Sequence, residues 1–247
     1  CARIGLCSRS EADRYIRLGL VAVNGTPVHN AASLVPSDAT VALLERGQRM
    51  QANKVTLMLH KPLHYASCRA ASGVPLARSL LVPANRAPSC RTRHDPRQMS
   101  RLTAADRLDE VLSGLLVFTQ DGRVATHIAR SPDLVKEYVV ELAGGVSESQ
   151  LAAFREGLAH AQEAQSFDSQ APVTCDLLGE QEGRGQLRVT VRGPLPPSRL
   201  DQMCDVAGLR RLGITRTRIG RLSLGDLVCG QWTVVRTSDI CGPHDGT

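Results

Sequence analysis

Arg107-Leu-Asp-Glu-Val-Leu-Ser-Gly-Leu-Leu-Val-Phe-Thr-Gln-Asp-Gly122 sets an acid, Asp109, at the edge of an apolar block that runs from Leu115 to Phe118. A short unbroken apolar run between polar flanks reads as a buried strand, and Asp121-Gly122, a favoured turn pair, stops it. A carboxylate beside buried backbone is costly unless a partner or a chemical role keeps it there. Taken alone, Asp109 reads as a surface acid in a loop entering a strand.

Downstream, Lys136 to Leu142 alternates as a strand, and Ser147-x-x-Gln150 caps a helix whose inner face is Leu151, Phe154 and Leu158. Residues 173–178 and 186–192 are two more strands around the Gly183-Arg-Gly185 turn. A helix from Ser198 to Val206 follows a Pro pair and turns Leu200, Met203 and Cys204 inward.

Upstream, residues 55–62 read as a strand entering a Pro-stopped turn, and residues 84–100, rich in Arg and Pro, as a flexible insertion. Residues 48–53, inside a polar Gly-containing stretch, are the expected linker. Before it, Ser8-Arg9-Ser10-Glu11 is a capping box, Ala12, Tyr15 and Ile16 face inward, and Gly19 ends the helix. Val21 and Val23 alternate into the hairpin signal Asn24-Gly25.

The chain has 247 residues, 42% of them hydrophobic, and no apolar run approaches a membrane span. Lys plus Arg number 30 against 24 acids, a net +6, and Lys occurs only at 54, 61 and 136. Arg-rich surfaces suit bidentate phosphate contacts. None of the eight cysteines forms a CxxC pair and no His stands at metal-finger spacing, which argues against zinc. Scattered thiols fit a reducing compartment, cytoplasmic or an organellar matrix. The first residue is Cys1, and a preceding segment with room for a targeting signal is expected.

The pattern RLDxxxxGLLxxTxDG resembles the catalytic-loop signature of the RsuA-like RNA pseudouridine synthases, and Lys136-Glu-Tyr-Val-Val140 is similar to that family's KEYxV segment. Residues 5–25 resemble the core of the small RNA-binding domain named after ribosomal protein S4, with its first helix truncated. The stretch from Gly213 to Trp232 resembles the RTRI-x-x-x-SLxGLxxGxW end of the large-subunit rRNA synthases. The resemblance implies an α+β fold: an RNA-binding domain at 1–47, then a catalytic domain at 54–240 on a mixed, largely antiparallel sheet. It implies isomerisation of uridine to pseudouridine in ribosomal RNA, without metal or cofactor, with rRNA or a pre-ribosomal particle as partner.

Asp109 carries over as the catalytic acid and Tyr138 as the active-site tyrosine, which otherwise reads as a core aromatic. Arg9, Arg14 and Arg17, expected on the exposed side of one helix, are the candidate RNA contacts, joined by Arg107, Lys136, Arg216 and Arg218. Two departures stand out. His60 and His64 replace an Asn and a Gly of the family pattern, so the turn after the first catalytic-domain strand is expected to differ. Asp201 occupies the place of an Arg that pairs with the catalytic acid, and is expected to face Asp109 as a second acid. That substitution keeps open a synthase-like rRNA-binding assembly factor without catalysis.

Overall fold

The computed structural model describes all residues except 3, 69–72, 93–94, 96–98, 164–173, 182, 194–197 and 241–247. The capping box forms as read: the Ser8 amide donates to Glu11, and α1 spans Arg9–Arg17. Strands β1 (Val21–Val23), β2 (Thr26–Val28) and β3 (Val41–Leu43) make a small antiparallel sheet ordered β2-β1-β3. Its core is separate and small: Cys7, Ala12, Tyr15, Leu20, Val21 and Leu43.

The expected linker is a helix. Helix α2 spans Glu45–Ala52, and an Arg49–Glu45 pair one turn apart supports it. Gly47 lets this helix lie against Leu20, whose carbonyl oxygen a Cβ at 47 would crowd. Polar residues around a glycine hid a helix whose stability comes from packing.

The larger sheet runs β12-β4-β6-β10-β7-β9-β8. Its strands are β4 (Thr56–Lys61), β6 (Ser113–Thr119), β7 (Val135–Ala143), β8 (Thr174–Gln181), β9 (Arg184–Arg192), β10 (Arg211–Ile219) and β12 (Trp232–Val235). Two-residue strands β5 (Thr103–Ala104) and β11 (Leu222–Ser223) pair with β6 and β10. Every pairing is antiparallel except β6 with β10, which gives the mixed sheet expected from the sequence. Helices α3 (Gly122–Arg130), α4 (Glu148–Glu163) and α5 (Ser198–Val206) complete the larger domain.

Two expectations change. Asp121-Gly122 is a helix start rather than a tight turn, because Asp121 accepts from the Arg123 amide as the N-cap of α3. Residues 84–100 are not a loose insertion where they are described. Ala87, Cys90 and Met99 are buried in the main core, and the Ala87 amide donates to the Trp232 carbonyl. In the turn after β4, His64 takes φ of 63°, in the left-handed region that favours glycine, and donates its amide to the Glu110 carbonyl at 2.7 Å. The His60 ring bonds the Leu227 carbonyl at 2.7 Å, which fixes the end of β4 against the segment before β12.

The parallel pair at the centre is possible because of one glycine. Gly114 stands opposite Arg216, and a Cβ there would overlap the Arg216 carbonyl and amide. Its φ of 109° also disfavours any side chain. Gly114→Ala should therefore cost about 4 kcal/mol or more in a denaturant unfolding curve. A loss below about 1 kcal/mol would show that β6 and β10 have room to separate.

Candidate active site

The loop ahead of β6 is pinned at several points. Leu108 is fully buried and its amide donates to the Ser67 hydroxyl at 3.1 Å. The Leu112 amide donates to the Asp109 carbonyl at 3.1 Å, and Glu110 accepts from His64. Asp109, held by these bonds, is partly open to solvent and lines a cavity of about 390 Å³ with Ser67, Cys68, Arg107, Glu110 and Val111. Arg107 lies 3.6 Å from its carboxylate, but 80% of the Arg107 side chain is exposed, so this pair is worth little by itself.

A charged cluster lies on the sheet close by. Arg216 of β10 stands across from Tyr138 of β7, and both are buried. The guanidinium donates from Nε to the Leu115 carbonyl at 2.8 Å and from Nη1 to Asp106 at 3.0 Å. Lys136 of β7, also buried, donates to the same Asp106 oxygen at 2.7 Å. Burial opposes the charged form of Asp106, but Arg216 and Lys136 outweigh it and hold the carboxyl below the usual range. Burial lowers the pKa of Lys136, and Arg216 adds to the effect while Asp106 resists it.

Lys61, the buried last residue of β4, gives its ammonium to the Pro62 and Tyr65 carbonyls, each at 2.8 Å. Burial first, then the neighbouring Arg216, lowers its pKa to about 8, against the pull of Asp109. Burial raises the Tyr138 pKa, with Asp106 and Asp109 adding to it and Arg216 opposing. Two buried polar atoms in this region, Arg216 Nη2 and the Tyr138 hydroxyl, meet no partner in hydrogen-bond geometry.

The structure thus gathers Asp109, Tyr138, Arg107, Lys136 and Arg216 in one place. It corrects several expected roles. Lys136 and Arg216 are interior ion-pair members rather than surface contacts for RNA. Arg218 is half-buried and engages Glu137 at 3.6 Å. Arg9 and Arg17 are exposed, but Arg14 is partly buried with its guanidinium 5.3 Å from the Tyr15 ring centroid. Asp201 does not face Asp109. It pairs with Arg211 at the start of β10, five residues before Arg216, roughly 15 Å along the strand. Sequence reading missed Asp106 and Lys61 as site residues: an acid three positions before Asp109 and a strand-end lysine carry no visible sign of burial. No group of three His, Cys, Asp or Glu among the described residues could hold a metal ion.

The first 41 residues match the S4 domain model. Ribosomal large subunit pseudouridine synthase B of Vibrio cholerae is 31% identical over 163 residues, 61% of this chain and 44% of that protein. The dual-specificity RNA pseudouridine synthase RluF of Escherichia coli K12 is 26% identical over 92% of this chain and 71% of its own length. The chain is similar to the RsuA-like pseudouridine synthases, with an S4 domain match at its N-terminal end.

A putative chloroplastic large subunit pseudouridine synthase of Arabidopsis thaliana is also similar, 26% identical over 97% of this chain and 58% of that protein. The chain therefore spans about half the length of the Vibrio and Arabidopsis relatives. A crystal structure of a pseudouridylate synthase shares the fold, with a TM-score of 0.56 at 22% identity over 97% of this chain and 95% of the other.

Lys61 sets a pH signature for this synthase-family site. With its folded pKa near 8 and an ordinary value of 10.5, the unfolded chain holds more protons between those limits, so stability rises with pH across them. Comparing unfolding free energies of wild type and Lys61→Met from pH 7 to 11 should isolate a rise of up to about 3 kcal/mol. Parallel pH curves for the two proteins would mean that Lys61 is not stripped of water.

Proposed function

We propose that this protein isomerises uridine to pseudouridine in ribosomal RNA, with large-subunit rRNA as substrate and a pre-ribosomal particle as its setting. The observation that carries the reading is Asp109 at the rim of a cavity, on a pinned loop beside a buried cluster of cations. The reaction breaks the N-glycosidic bond, turns the uracil and closes a carbon–carbon bond to the same sugar. Nothing is added or removed, so no outside reactant enters the balance. A target base must leave its stack, which costs a few kcal/mol and favours loops or opened helices.

In this reading Asp109 acts on the sugar, and the cationic cluster holds negative charge at that end of the cavity. Tyr138 is only 1% exposed, so its ring packs in the core rather than against a base in this arrangement. Its hydroxyl acts from within the cluster. Arg9 and Arg17, exposed on α1, supply phosphate contacts that position RNA without reading its sequence. Asp201, engaged by Arg211 away from the cavity, gives no support to a loss of catalysis through like-charge repulsion.

Asp109→Asn keeps size and polarity but removes the charge that a nucleophile or base needs. Pseudouridine mapping of rRNA from cells carrying the variant should show a site lost while the protein still binds. If no site depends on the wild-type protein, the noncatalytic rRNA-binding reading takes its place. A second expectation concerns affinity. Replacing Arg9 and Arg17 with Ala should weaken binding to RNAs of unrelated sequence and reduce the salt slope by about two charges' worth. An unchanged slope would remove α1 from the interface.

A further inference from the structure

Asp106 is the carboxylate that both Lys136 and Arg216 bond. One oxygen, Oδ2, accepts from both Lys136 and Arg216. The other, Oδ1, accepts the backbone amide of Arg107 at 2.8 Å, at the base of the loop that carries Asp109. The same side chain therefore fastens two strands, β7 and β10, to that loop. Because Nη1 and Nε of Arg216 are both engaged, the guanidinium is fixed in plane, and Arg216 acts on the buried Tyr138 hydroxyl, favouring its charged form.

We infer that Asp106 is a positioning residue for the reaction at Asp109, tying the Asp109 loop to the sheet through Arg216 and Lys136 and setting the field at the Tyr138 hydroxyl. The inference rests on the proposed activity for its catalytic half only. The charges around the cluster come from every element packed on it. They are Lys61 from β4, Lys136 and Tyr138 from β7, Arg216 from β10, Asp106, Arg107, Asp109 and Glu110 from the loop, and Cys229 from the segment before β12. Within this set Asp106 offsets one of two adjacent buried cations. Without its charge, Lys136 and Arg216 both favour the tyrosinate form of Tyr138.

The test uses Asp106→Asn, which keeps shape and removes charge, and the charge-matched double variant Asp106→Asn with Lys136→Met. The chain has three tyrosines, so tyrosinate absorbance against pH resolves Tyr138, with Tyr138→Phe as the assignment control. The Tyr138 transition should move to lower pH by on the order of one unit in Asp106→Asn and return toward wild type in the double variant. On a uridine-containing rRNA fragment, kcat should fall on the order of ten- to a hundredfold in both variants with KM unchanged, as for a misplaced catalytic group. Should Asp106→Asn fail to fold, the double variant, with its buried charge balanced, carries the kcat measurement.

An unmoved tyrosine transition, or a raised KM with kcat intact, would overturn the inference. A merely structural Asp106 would lower stability without the charge-reversed recovery of the tyrosine. Wild-type protein that converts no uridine would sink the proposed activity alone, because the tyrosine titration needs no RNA and still decides whether Asp106 sets the field.

Discussion

Arg216 lies inside the protein because β6 and β10 approach each other in parallel across Gly114, and the rest of the site follows from that burial. Taking a guanidinium out of water costs several kcal/mol, which only well-placed acceptors can offset. The Leu115 carbonyl and Asp106 are those acceptors. Asp106, drawn inward to meet Arg216, also takes Lys136 and the first amide of the Asp109 loop. The position of Asp109 is thus a consequence of how two strands pack. The Ser113 and Thr215 hydroxyls, 2.7 Å apart at the neighbouring rung, hold the same pair of strands together.

A second constraint joins the S4 domain to the larger domain. Glu11 of α1 accepts from Lys54, just ahead of β4, and from the Gly122 amide at the start of α3. Burial works against the charge on Glu11, but Lys54 and Ser8 hold its pKa below the ordinary carboxylate value. Asp121 takes Arg123 at 2.8 Å and Gln51 at 3.3 Å, while Arg123 reaches back to the Gly5 carbonyl at 3.1 Å. Gly122 faces Ser8 so closely that no Cβ fits between them. These contacts are charged and directional rather than apolar, so they set the orientation of α1 and its exposed arginines relative to the cavity.

The charge that the family pattern supplies from a helix is here available from the sheet. Asp201, expected from the sequence to face Asp109, is held on α5 by Arg211 instead. Lys61, Lys136 and Arg216, all buried, provide positive potential near Asp109 without that helix. Potential from fixed, desolvated groups is stronger than from an exposed side chain such as Arg107, since water and salt screen the latter.

The sequence by itself determined the elements whose signals are local. Periodicity marked β4, β6, β7 and α4, the capping box marked α1, and the extended motif carried the resemblance to the synthases and singled out Asp109. It misread residues whose state depends on distant partners. The polar stretch 45–52 folded into α2 because Leu20 and Leu43 lie beside it, and Asp121-Gly122 became a helix start because the S4 domain docks there. Lys136, Arg216 and Asp201 carry the same charges in any fold. Only the tertiary structure decided which were buried and paired, because the cost of burying a charge depends on acceptors brought from strands and loops far along the chain. Asp106 is the plainest case: alone it is an acid in a loop, and between Arg216, 110 residues downstream, and Lys136 it becomes the anchor of the site.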